Sequence, residues 1–286
     1  MPLRLVRDAA VEPLSIADAK SHLRVDIPDD DVLIGALILA SRRFAEHLTQ
    51  RALIYQAWRL VIDSFPGPTL IGVPWGKTFT LPAHAILLEK SAVQQVTAIH
   101  YLDMGGNPQV MPTADYTVDY TSEPCRITPV FGQIWPIPLP QIGAVEVDFT
   151  AGYAVPVVCS NDTMTVPADW QPYSVGDAVR FSLADASNGV LPAPLTVGTD
   201  YYIQSVVAPG VYTLSNVSGG SAITFTSTGS GTTLLGKVPE GILSWMKLRI
   251  GTLYQHREEY FTSEKSGKVL PLPFVDRLLD PYRVVF

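Results

Sequence analysis

Charged side chains are scarce in this chain, since Asp, Glu, Lys and Arg together make up only 16% of its 286 residues. The hydrophobic fraction of 47% excludes an intrinsically disordered protein. It also exceeds what a solitary soluble chain needs, which favours stable contacts between subunits. No apolar run reaches the roughly 18–20 residues of a membrane span, because the longest, Val32–Ala40, is broken by Gly35. The N-terminus lacks the apolar core of a secretory signal, so export by that route is not expected.

Basic residues and cysteines are also few. There are 20 Lys and Arg residues against 27 Asp and Glu residues, which gives a formal net charge of −7. This balance argues against a protein that grips nucleic acid phosphates over a broad surface. The two cysteines, Cys125 and Cys159, are too few for a disulfide scaffold, and their spacing fits no metal motif. We expect two reduced, partly buried thiols in a protein that folds in the cytosol.

Sequence motifs of catalysis are missing as well. The chain has no Walker loop, no dinucleotide-binding glycine fingerprint and no Gly-x-Ser-x-Gly elbow. Its five histidines are scattered singly, and helix capping accounts for Asp29, Asp30 and Asp31 without a metal. Nothing singles out a pair of carboxylates for acid–base chemistry, so a polysaccharide-degrading enzyme is not favoured. The sequence therefore predicts no catalytic residue, no metal ligand and no cofactor.

Two helices are expected near the N-terminus. Ser15 and Asp18 have the spacing of a capping box that opens a helix over residues 15–24. An acidic turn before Asp31 predicts a second helix over residues 31–51. This second helix has two neighbouring apolar stripes at helical spacing, so its apolar arc is wide. A wide arc predicts burial on two sides, which fits a core helix of a monomer and a helix between subunits of a ring equally well.

Strand patterns follow, and then the composition changes. Mostly apolar or β-branched runs predict strands between residues 57 and 150. The segment Gln133–Pro140 contains three prolines and is expected to be an extended arm that lies on a surface. From Val155 to Gly236 there is one Arg, no Lys and no Glu, and short alternating runs lie between turns. Residues 155–237 are therefore predicted to form an inserted all-β domain, either a sandwich or a barrel.

The C-terminal part of the chain returns to a helical pattern. Apolar residues at helical spacing predict a helix over residues 239–259, with Pro239 at its first position. Residues 261–286 form an apolar tail with several prolines, which is expected to dock on its own domain or on a partner. The expected fold class is α+β, in which N-terminal helices and a C-terminal helix pack with β-hairpins. Its core would comprise residues 1–154 and 238–286.

A set of short segments resembles the head–tail connector, or adaptor, proteins of tailed bacteriophages. The resemblance covers roughly residues 10–154 and 238–283. The segments that show it are Pro13–Asp26, Asp30–Ile34, Ala45–Leu53, Val93–Asp103, Asp115–Val118, Trp135–Pro136, Val145–Tyr153, Val238–Ile242, Leu253–Glu258 and Leu278–Arg283. The chain departs from the family after Tyr153, where about eighty residues replace a short loop. These residues resemble small β modules of phage structural proteins, so their role does not follow from the adaptor resemblance.

The resemblance implies a structural protein of the virion neck, assembled in the cytoplasm of the host bacterium. Such proteins form a ring, usually of twelve subunits, beneath the portal, and they extend the DNA channel. The implied partners are other copies of the chain, the portal, a stopper, neck or tail-completion protein, and the capsid as a further candidate. DNA would pass through without sequence-specific binding, and no membrane is implied.

The resemblance also suggests which residues make these contacts. The tail would dock on the portal, and its candidate residues are Leu270, Leu272, Phe274, Leu278, Leu279, Tyr282, Val284 and Phe286. The wide apolar arc of the second helix would contact neighbouring subunits, and its candidates are Leu33, Ile34, Leu37, Ile38 and Phe44. These expectations make the second helix and the tail the first places at which to look for assembly surfaces.

A second hypothesis assigns the β domain to surface decoration. In it, the inserted domain binds glycans or neighbouring capsid or tail proteins, and the rest of the chain is a scaffold. The aromatic residues that could stack on a sugar ring are Trp170, Tyr173, Tyr201 and Tyr202. Packing in the core and hinge of a small sandwich explains the same four residues without a ligand.

Overall fold

The computed structural model describes residues 3–67, 84–167, 172–183, 189–197, 199–236, 238–256 and 275–284. Within these ranges the α-helices are α1 (Ile16–Leu23), α2 (Asp31–Thr49) and α3 (Glu240–Gln255). The strands are β1 (Leu3–Arg7), β2 (Gln56–Ile62), β3 (Ile86–Leu88), β4 (Val93–Leu102), β5 (Pro108–Val110), β6 (Tyr116–Asp119), β7 (Cys125–Pro129), β8 (Val145–Ala151), β9 (Val155–Ser160), β10 (Thr163–Thr165), β11 (Ala178–Leu183), β12 (Asp200–Ala208), β13 (Val211–Ser215) and β14 (Thr233–Leu235). A short 3-10 helix, Asp276–Tyr282, lies near the C-terminus. The α+β class predicted from the sequence is therefore confirmed.

Local sequence signals set the beginnings of the first two helices. The Ser15 hydroxyl accepts a hydrogen bond from the Asp18 amide at 2.9 Å, and the Asp18 carboxylate accepts one from the Ser15 amide at 3.4 Å. This is the predicted capping box. The acidic turn was expected to cap the start of α2. The Asp30 side chain, however, makes no capping hydrogen bond to this helix. Its carboxylate instead accepts a hydrogen bond from the Tyr254 hydroxyl, which ties α2 to α3.

A five-stranded antiparallel sheet forms the centre of the fold, with the strand order β1-β2-β8-β4-β5. Side chains alternate between its two faces, so Leu60, Val147 and Phe149 lie in the core. Arg59 and Asp148 lie on the opposite, polar face, where the guanidinium binds the carboxylate at 2.6 Å. The strands β1 and β5 form the two edges of this sheet.

A smaller sheet with the order β3-β7-β6 shares its hydrophobic core with the first. Cys125 on β7 is buried in this core, and Cys159 on β9 is buried elsewhere. Both thiols are free, and burial raises the pKa of each to about 12. The two cysteines therefore stay protonated at neutral pH and act as small buried apolar residues.

Strands β9 to β14 close into a six-stranded antiparallel barrel with the order β10-β13-β12-β11-β14-β9. Closure pairs both edges of each strand, so no edge has to be covered by another element. Alternate side chains fill the interior, and seven of them are at most 1% exposed: Val155, Met164, Phe181, Ile203, Tyr212, Leu214 and Leu235. The run Ala222–Thr226, which has a strand pattern, is irregular instead, although the Phe225 amide still donates to the Asn161 carbonyl oxygen at 2.7 Å.

The two ends of the barrel meet at one place. β9 begins at Val155, β14 ends at Leu235, and these two residues are ladder partners. Next to them, Gly236 has a φ of +90°, and a Cβ atom there would lie 2.2 Å from the carbonyl oxygen of Tyr153. Only glycine fits, because any other L-residue would be strained at this φ and would collide with the backbone. The chain therefore leaves the core and returns to it through two adjacent strands.

The helices enclose a third cluster of buried residues, which joins α1, α2 and α3 to the 3-10 helix. Its largest buried side chain is Trp245, which is 0% exposed. Helix α2 ends at Thr49, two residues before the predicted end at residue 51. Helix α3 ends at Gln255, and residues 257–259 of its predicted range lie outside the described part of the chain. This cluster packs the N-terminal and C-terminal ends of the chain against each other.

Candidate assembly surfaces

Helix α2 contains the residues predicted to contact a neighbouring subunit, and the structure divides them into two groups. Ile34 and Ile38 are 0% and 2% exposed, in the core of the chain itself. Leu33 and Leu37 are half-buried, and Phe44 is 39% exposed. The apolar arc is wide because one stripe packs inside the chain while the other borders its surface. Only the second stripe lies where another molecule could contact it.

Phe44 lies at the joint between α2 and α3. Its ring is 5.7 Å from the ring of Trp245, and the guanidinium of Arg249 lies 5.1 Å from the Phe44 centroid. These contacts hold the ring in place while more than a third of the side chain stays exposed. Val32, in the first turn of the same helix, is 88% exposed. The outer face of α2 is therefore partly apolar and fixed in position.

A buried network of charges fixes α2 to the N-terminal segment. The guanidinium of Arg42, which is 1% exposed, binds Glu12 at 2.7 Å, Glu46 at 3.1 Å and Asp8 at 3.2 Å. Burial alone would lower the pKa of Arg42, but the hydrogen bond to Glu12 and the negative charges of all three partners raise it overall. Burial also raises the pKa of Glu46, and the charge of Arg42 opposes this shift. The guanidinium therefore remains charged and holds three carboxylates together.

The same network reaches the strands of the core. The Glu46 carboxylate accepts hydrogen bonds from the Leu53 amide and the Gln56 side chain, both at 3.0 Å. Lys90 donates to the carbonyl oxygen of Glu46 at 3.0 Å, and its ammonium lies 5.2 Å from the centroid of the Trp58 ring. Burial lowers the pKa of Lys90, and the charge of Glu46 opposes this shift. These contacts join α2, β2 and the turn before β4 into one unit.

Sequence reasoning missed this network, although one signal of it was present. Arg42 comes four residues after Ile38 and eight after Ile34, so it lies on the buried stripe of α2. A charge in that register indicates a buried partner, and Glu46 at the next helical turn supplies one. Asp8 has no such signal, because it comes from a separate segment that only the fold brings to α2.

The described part of the C-terminal tail docks on the chain's own core. Leu279 is 0% exposed there, with Leu278 and Tyr282 packed around it. Val284 follows, and its amide donates to the carbonyl oxygen of Thr49 at 3.1 Å. Leu279 is therefore unavailable to another protein in this arrangement. The remaining candidates for portal contact lie outside the described residues: Leu270, Leu272, Phe274 and Phe286.

Two polar contacts anchor the tail. The Trp245 indole donates to the Asp276 carboxylate at 3.2 Å. Arg51, just after α2, donates to the carbonyl oxygen of Tyr282 at 2.5 Å and also forms a two-pronged ion pair with Glu123. The tail is thus tied both to α3 and to the loop before β7. Its position in the free chain is defined by the core rather than by a partner.

The proline-rich segment between β7 and β8 is irregular and exposes apolar side chains. We call residues 131–142 the arm. Trp135 anchors it, since this side chain is 8% exposed, stacks on Phe65 with centroids 4.8 Å apart, and donates to the His84 carbonyl oxygen at 2.6 Å. Four neighbours point outward, with exposed fractions of 104% for Phe131, 87% for Ile134, 76% for Ile137 and 91% for Ile142. The arm therefore holds an apolar surface in a fixed position.

The aromatic residues of the barrel are poorly placed to stack on a sugar. Tyr201 is 3% exposed and lies in the barrel interior. Tyr173 packs edge-on against Tyr212, with centroids 5.7 Å apart, and Tyr202 is half-buried on β12. Trp170 lies outside the described residues. The described aromatic residues thus serve mainly to fill the barrel.

Polar clusters in the structure have structural explanations. The Asp119 carboxylate accepts hydrogen bonds from Ser122, Thr121 and Arg126, which hold its pKa well below the usual range and close the turn before β7. Among the described residues, no group of three or more His, Cys, Asp or Glu side chains is placed to hold a metal ion. None of the helices described has the length and apolar character that spanning a membrane requires.

No protein-family model matches this chain, and no curated protein matches its sequence. Solved structures do match its fold. A chain from the neck of an empty gene transfer agent particle, computed with C6 symmetry, is 18% identical and superposes with a TM-score of 0.54. A chain from the virion of the native gene transfer agent particle is 19% identical with a TM-score of 0.54. One from the neck of the native particle, computed with C12 symmetry, is 18% identical with a TM-score of 0.53.

Each of these matches covers 100% of this chain and 97% of the other. The similarity therefore includes the helices, the sheets and the barrel rather than a single motif. It confirms the resemblance to head–tail connector proteins at the level of the fold. Over its whole length, this chain has the fold of a chain from the neck of a phage-like particle.

Proposed function

We propose that this chain is a non-enzymatic structural protein in the neck of a tailed phage or phage-like particle. In this role it is a head–tail adaptor, of which twelve copies form a ring beneath the portal and extend the DNA channel. The far side of the ring would receive the next neck or tail component. The observation that supports this most directly is the whole-length likeness to chains from particle necks computed with C6 and C12 symmetry.

The exposed stripe of α2 is part of the proposed contact between neighbouring copies. Leu33, Leu37 and Phe44 border the surface, whereas Ile34 and Ile38 act indirectly by fixing the helix to the core. A closed ring repeats one contact around its axis. Burial of roughly 800 Å² per partner at each repeat is enough for a stable interface.

The charge of the chain suits a channel through which DNA slides. Its formal net charge is −7. On the polar face of the central sheet, Arg59 is already bound to Asp148 and Glu146, both at 2.6 Å. A channel wall whose basic side chains are already paired with carboxylates releases few counterions when DNA touches it. Such a wall does not hold the DNA phosphates.

The C-terminal tail is the proposed contact with the portal. In the described part, Leu278, Tyr282 and Val284 remain half-buried at the surface, while Leu279 anchors the segment. A partner could therefore cover the first three without extracting the tail from the core.

Binding to the purified portal of the same particle tests this role. The wild-type chain should co-sediment with the portal, and Val284→Asp should weaken the association about tenfold or more, because it places a charge in an apolar contact. Val217→Asp is a matched control, since Val217 is 62% exposed on the barrel. A wild-type chain that never associates with the portal would contradict the adaptor role.

We infer that the barrel is an insertion in the adaptor core and projects outward from the ring. Its two ends are ladder partners, Val155 and Leu235, so the chain enters and leaves the barrel at one point, as an insertion requires. The exposed valines on its surface include Val158, Val175, Val190, Val197, Val206 and Val207. Exposed apolar residues suit contacts with neighbouring neck, capsid or tail proteins better than the stacking of sugars.

Excision of the barrel tests its independence. Replacing residues 156–233 with a short glycine-rich turn joins Val155 to Leu234, where the two ends of the barrel already lie side by side. We expect the remaining chain to fold with a free energy of unfolding lowered by about 1–2 kcal/mol, because Tyr55, which packs into the barrel, becomes exposed. Urea unfolding and portal co-sedimentation provide the measurements. Failure of the shortened chain to fold would show that the barrel belongs to the core.

A further inference from the structure

We propose that the groove between β1 and α2 is a binding site for carboxylate side chains, and that the acidic turn of a second copy of this chain, residues 26–30, supplies them. The inference rests on the proposed ring and identifies one contact that closes it. The groove has a volume of about 330 Å³ and lies between β1, the C-terminal half of α2 and Lys90. Most of its lining is polar or charged, so its hydrogen-bonding capacity decides what it can bind.

Lys90 is a buried cation in this groove with donors to spare. It is 6% exposed, its ammonium donates to the carbonyl oxygen of Glu46 at 3.0 Å, and the ammonium lies 5.2 Å from the centroid of the Trp58 ring. An ammonium group carries three donors. Within the described part of the chain, no second acceptor lies within hydrogen-bond distance of it. Because buried donors are normally satisfied, an acceptor that enters the groove is expected to bind there.

The acidic side chains of the groove, in contrast, are already engaged. The Asp8 carboxylate accepts hydrogen bonds from Arg42 and Arg43, both at 3.2 Å, and from Gln56 at 3.3 Å. The Glu46 carboxylate accepts from Arg42 at 3.1 Å and from Gln56 at 3.0 Å. Arg43 has a side chain that is 62% exposed and donates only to Asp8 among the described residues. The spare capacity of the groove is therefore donor capacity on cations, which selects a carboxylate.

The acidic turn carries carboxylates that have no partner within the described part of the chain. Asp26 and Asp29 are exposed, and neither side chain makes a hydrogen bond or an ion pair there. Between them, Ile27 is 58% exposed. The Asp31 amide donates to the carbonyl oxygen of Pro28 at 3.0 Å, which closes the turn. Because the turn is already ordered, little conformational entropy is lost when it binds.

The turn and the groove match in both charge and polarity. The apolar part of the groove lining is Leu3, Leu5 and Trp58, which suits an isoleucine side chain. The cations beside it suit the two carboxylates that flank Ile27 in the turn. A DNA duplex is a poorer occupant, because its rigid backbone cannot follow the groove down to Lys90, which is 6% exposed.

The positions of the two surfaces require two molecules. The turn precedes α2 at Asp31, whereas the groove borders the other half of this helix, around Glu46. At about 1.5 Å per residue, these two points are roughly 22 Å apart, so the turn cannot reach the groove of its own chain. The exposed stripe of α2, from Leu33 to Phe44, lies between them. Two different surfaces joined by this stripe form a head-to-tail contact, which is the kind that closes a ring.

Charge reversal on each side tests the contact. Asp29→Lys and Arg43→Glu should each raise the protein concentration needed for ring formation about tenfold, because like charges then meet. Both side chains are exposed, so urea unfolding should stay close to that of the wild type. The two changes in one chain should cost less than the sum of the single losses, because they face each other across the contact. Asp162→Lys, on an exposed turn of the barrel, is the matched control.

Crosslinking identifies the occupant directly. The variant Ile27→Cys/Leu5→Cys has one thiol on the turn and one beside the groove, so a short cysteine-specific crosslinker should join successive copies into a ladder of covalent oligomers. The native Cys125 and Cys159 are 2% and 3% exposed and should not react. The control pair, Ile27→Cys/Val217→Cys, should give no ladder.

Absence of the ladder while the variant still forms rings would overturn the proposal, as would rings of Asp29→Lys at the wild-type concentration. Rings of Arg43→Glu that form normally but no longer bind the portal would assign the groove to another protein, and would also overturn it. A wild-type chain that forms no ring, alone or on the portal, would instead contradict the proposed function.

Discussion

Replacing Arg42 with alanine is expected to lower the free energy of unfolding by about 3–5 kcal/mol. The guanidinium is 1% exposed and binds Asp8, Glu12 and Glu46. Its removal leaves Glu46, which is itself 5% exposed, as a buried charge without its main cation. It also releases the N-terminal segment from α2. Urea unfolding followed by circular dichroism measures the loss directly.

The neighbouring arginine provides the control. Arg43 is on the same helix and binds the same Asp8 at 3.2 Å, but its side chain is 62% exposed. Because an exposed ion pair contributes little, Arg43→Ala should change the free energy of unfolding by at most about 0.5 kcal/mol. Equal losses in the two variants would show that the buried network does not stabilise the fold.

The cost of the Arg42 variant should also depend on pH. In the absence of the guanidinium, burial raises the pKa of Glu46 further above its value in the unfolded chain. A group whose folded pKa is raised favours the folded state below its unfolded pKa, and this advantage is lost as the pH rises through the folded pKa. The destabilisation by Arg42→Ala should therefore be largest at neutral pH and smaller in acid.

Replacing Trp245 with alanine is expected to cost about 3–5 kcal/mol, the usual range for a large buried aromatic residue. This side chain is 0% exposed at the centre of the cluster that joins the helices to the tail. The variant loses the ring contact with Phe44 and the hydrogen bond to Asp276. The tail should then detach more readily, so limited proteolysis near Asp276 should become faster.

A conservative variant separates the two contributions of Trp245. Trp245→Phe keeps an aromatic ring against Phe44 but removes the donor that binds Asp276. We expect it to lose only about 1–2 kcal/mol, and to speed cleavage of the tail less than the alanine variant does. An alanine variant as stable as the wild type would mean that this cluster does not hold the two ends of the chain together.

Features encoded by neighbouring residues could be predicted from the sequence. The capping box at Ser15 and Asp18 forms as expected, because both partners lie within one helical turn. The central strands β2, β4 and β8 follow from long runs of apolar and β-branched residues. The strand β1 was missed, because its five residues, Leu-Arg-Leu-Val-Arg, give a pattern that is too short and does not alternate regularly.

Features that depend on distant pairings could not be predicted in the same way. The sequence indicates an all-β unit over residues 155–237, but closure of the barrel depends on pairing β9 with β14, which lie far apart in the chain. The Arg42 network likewise joins residues from three segments. For α2, periodicity showed two apolar stripes, and only packing against α3 decided that Ile34 and Ile38 face inward.

The candidate assembly surfaces also combine features that the sequence indicated with features that only the packing of the chain revealed. The tail was expected to dock either on its own domain or on a partner, and the described part, with Leu279 at 0% exposed, packs on its own domain. The arm was recognised as an extended surface segment from its prolines. That Trp135 is its buried anchor, and that Ile134 and Ile137 point outward, became evident only from the packing.

Electron microscopy of the purified full-length chain, alone and with its portal, tests the central claim most directly. We expect a closed ring with rotational symmetry, twelvefold in the proposed assembly, which stacks coaxially on the portal and leaves a central channel. Particles that remain monomeric at every concentration and add no density to the portal would contradict it.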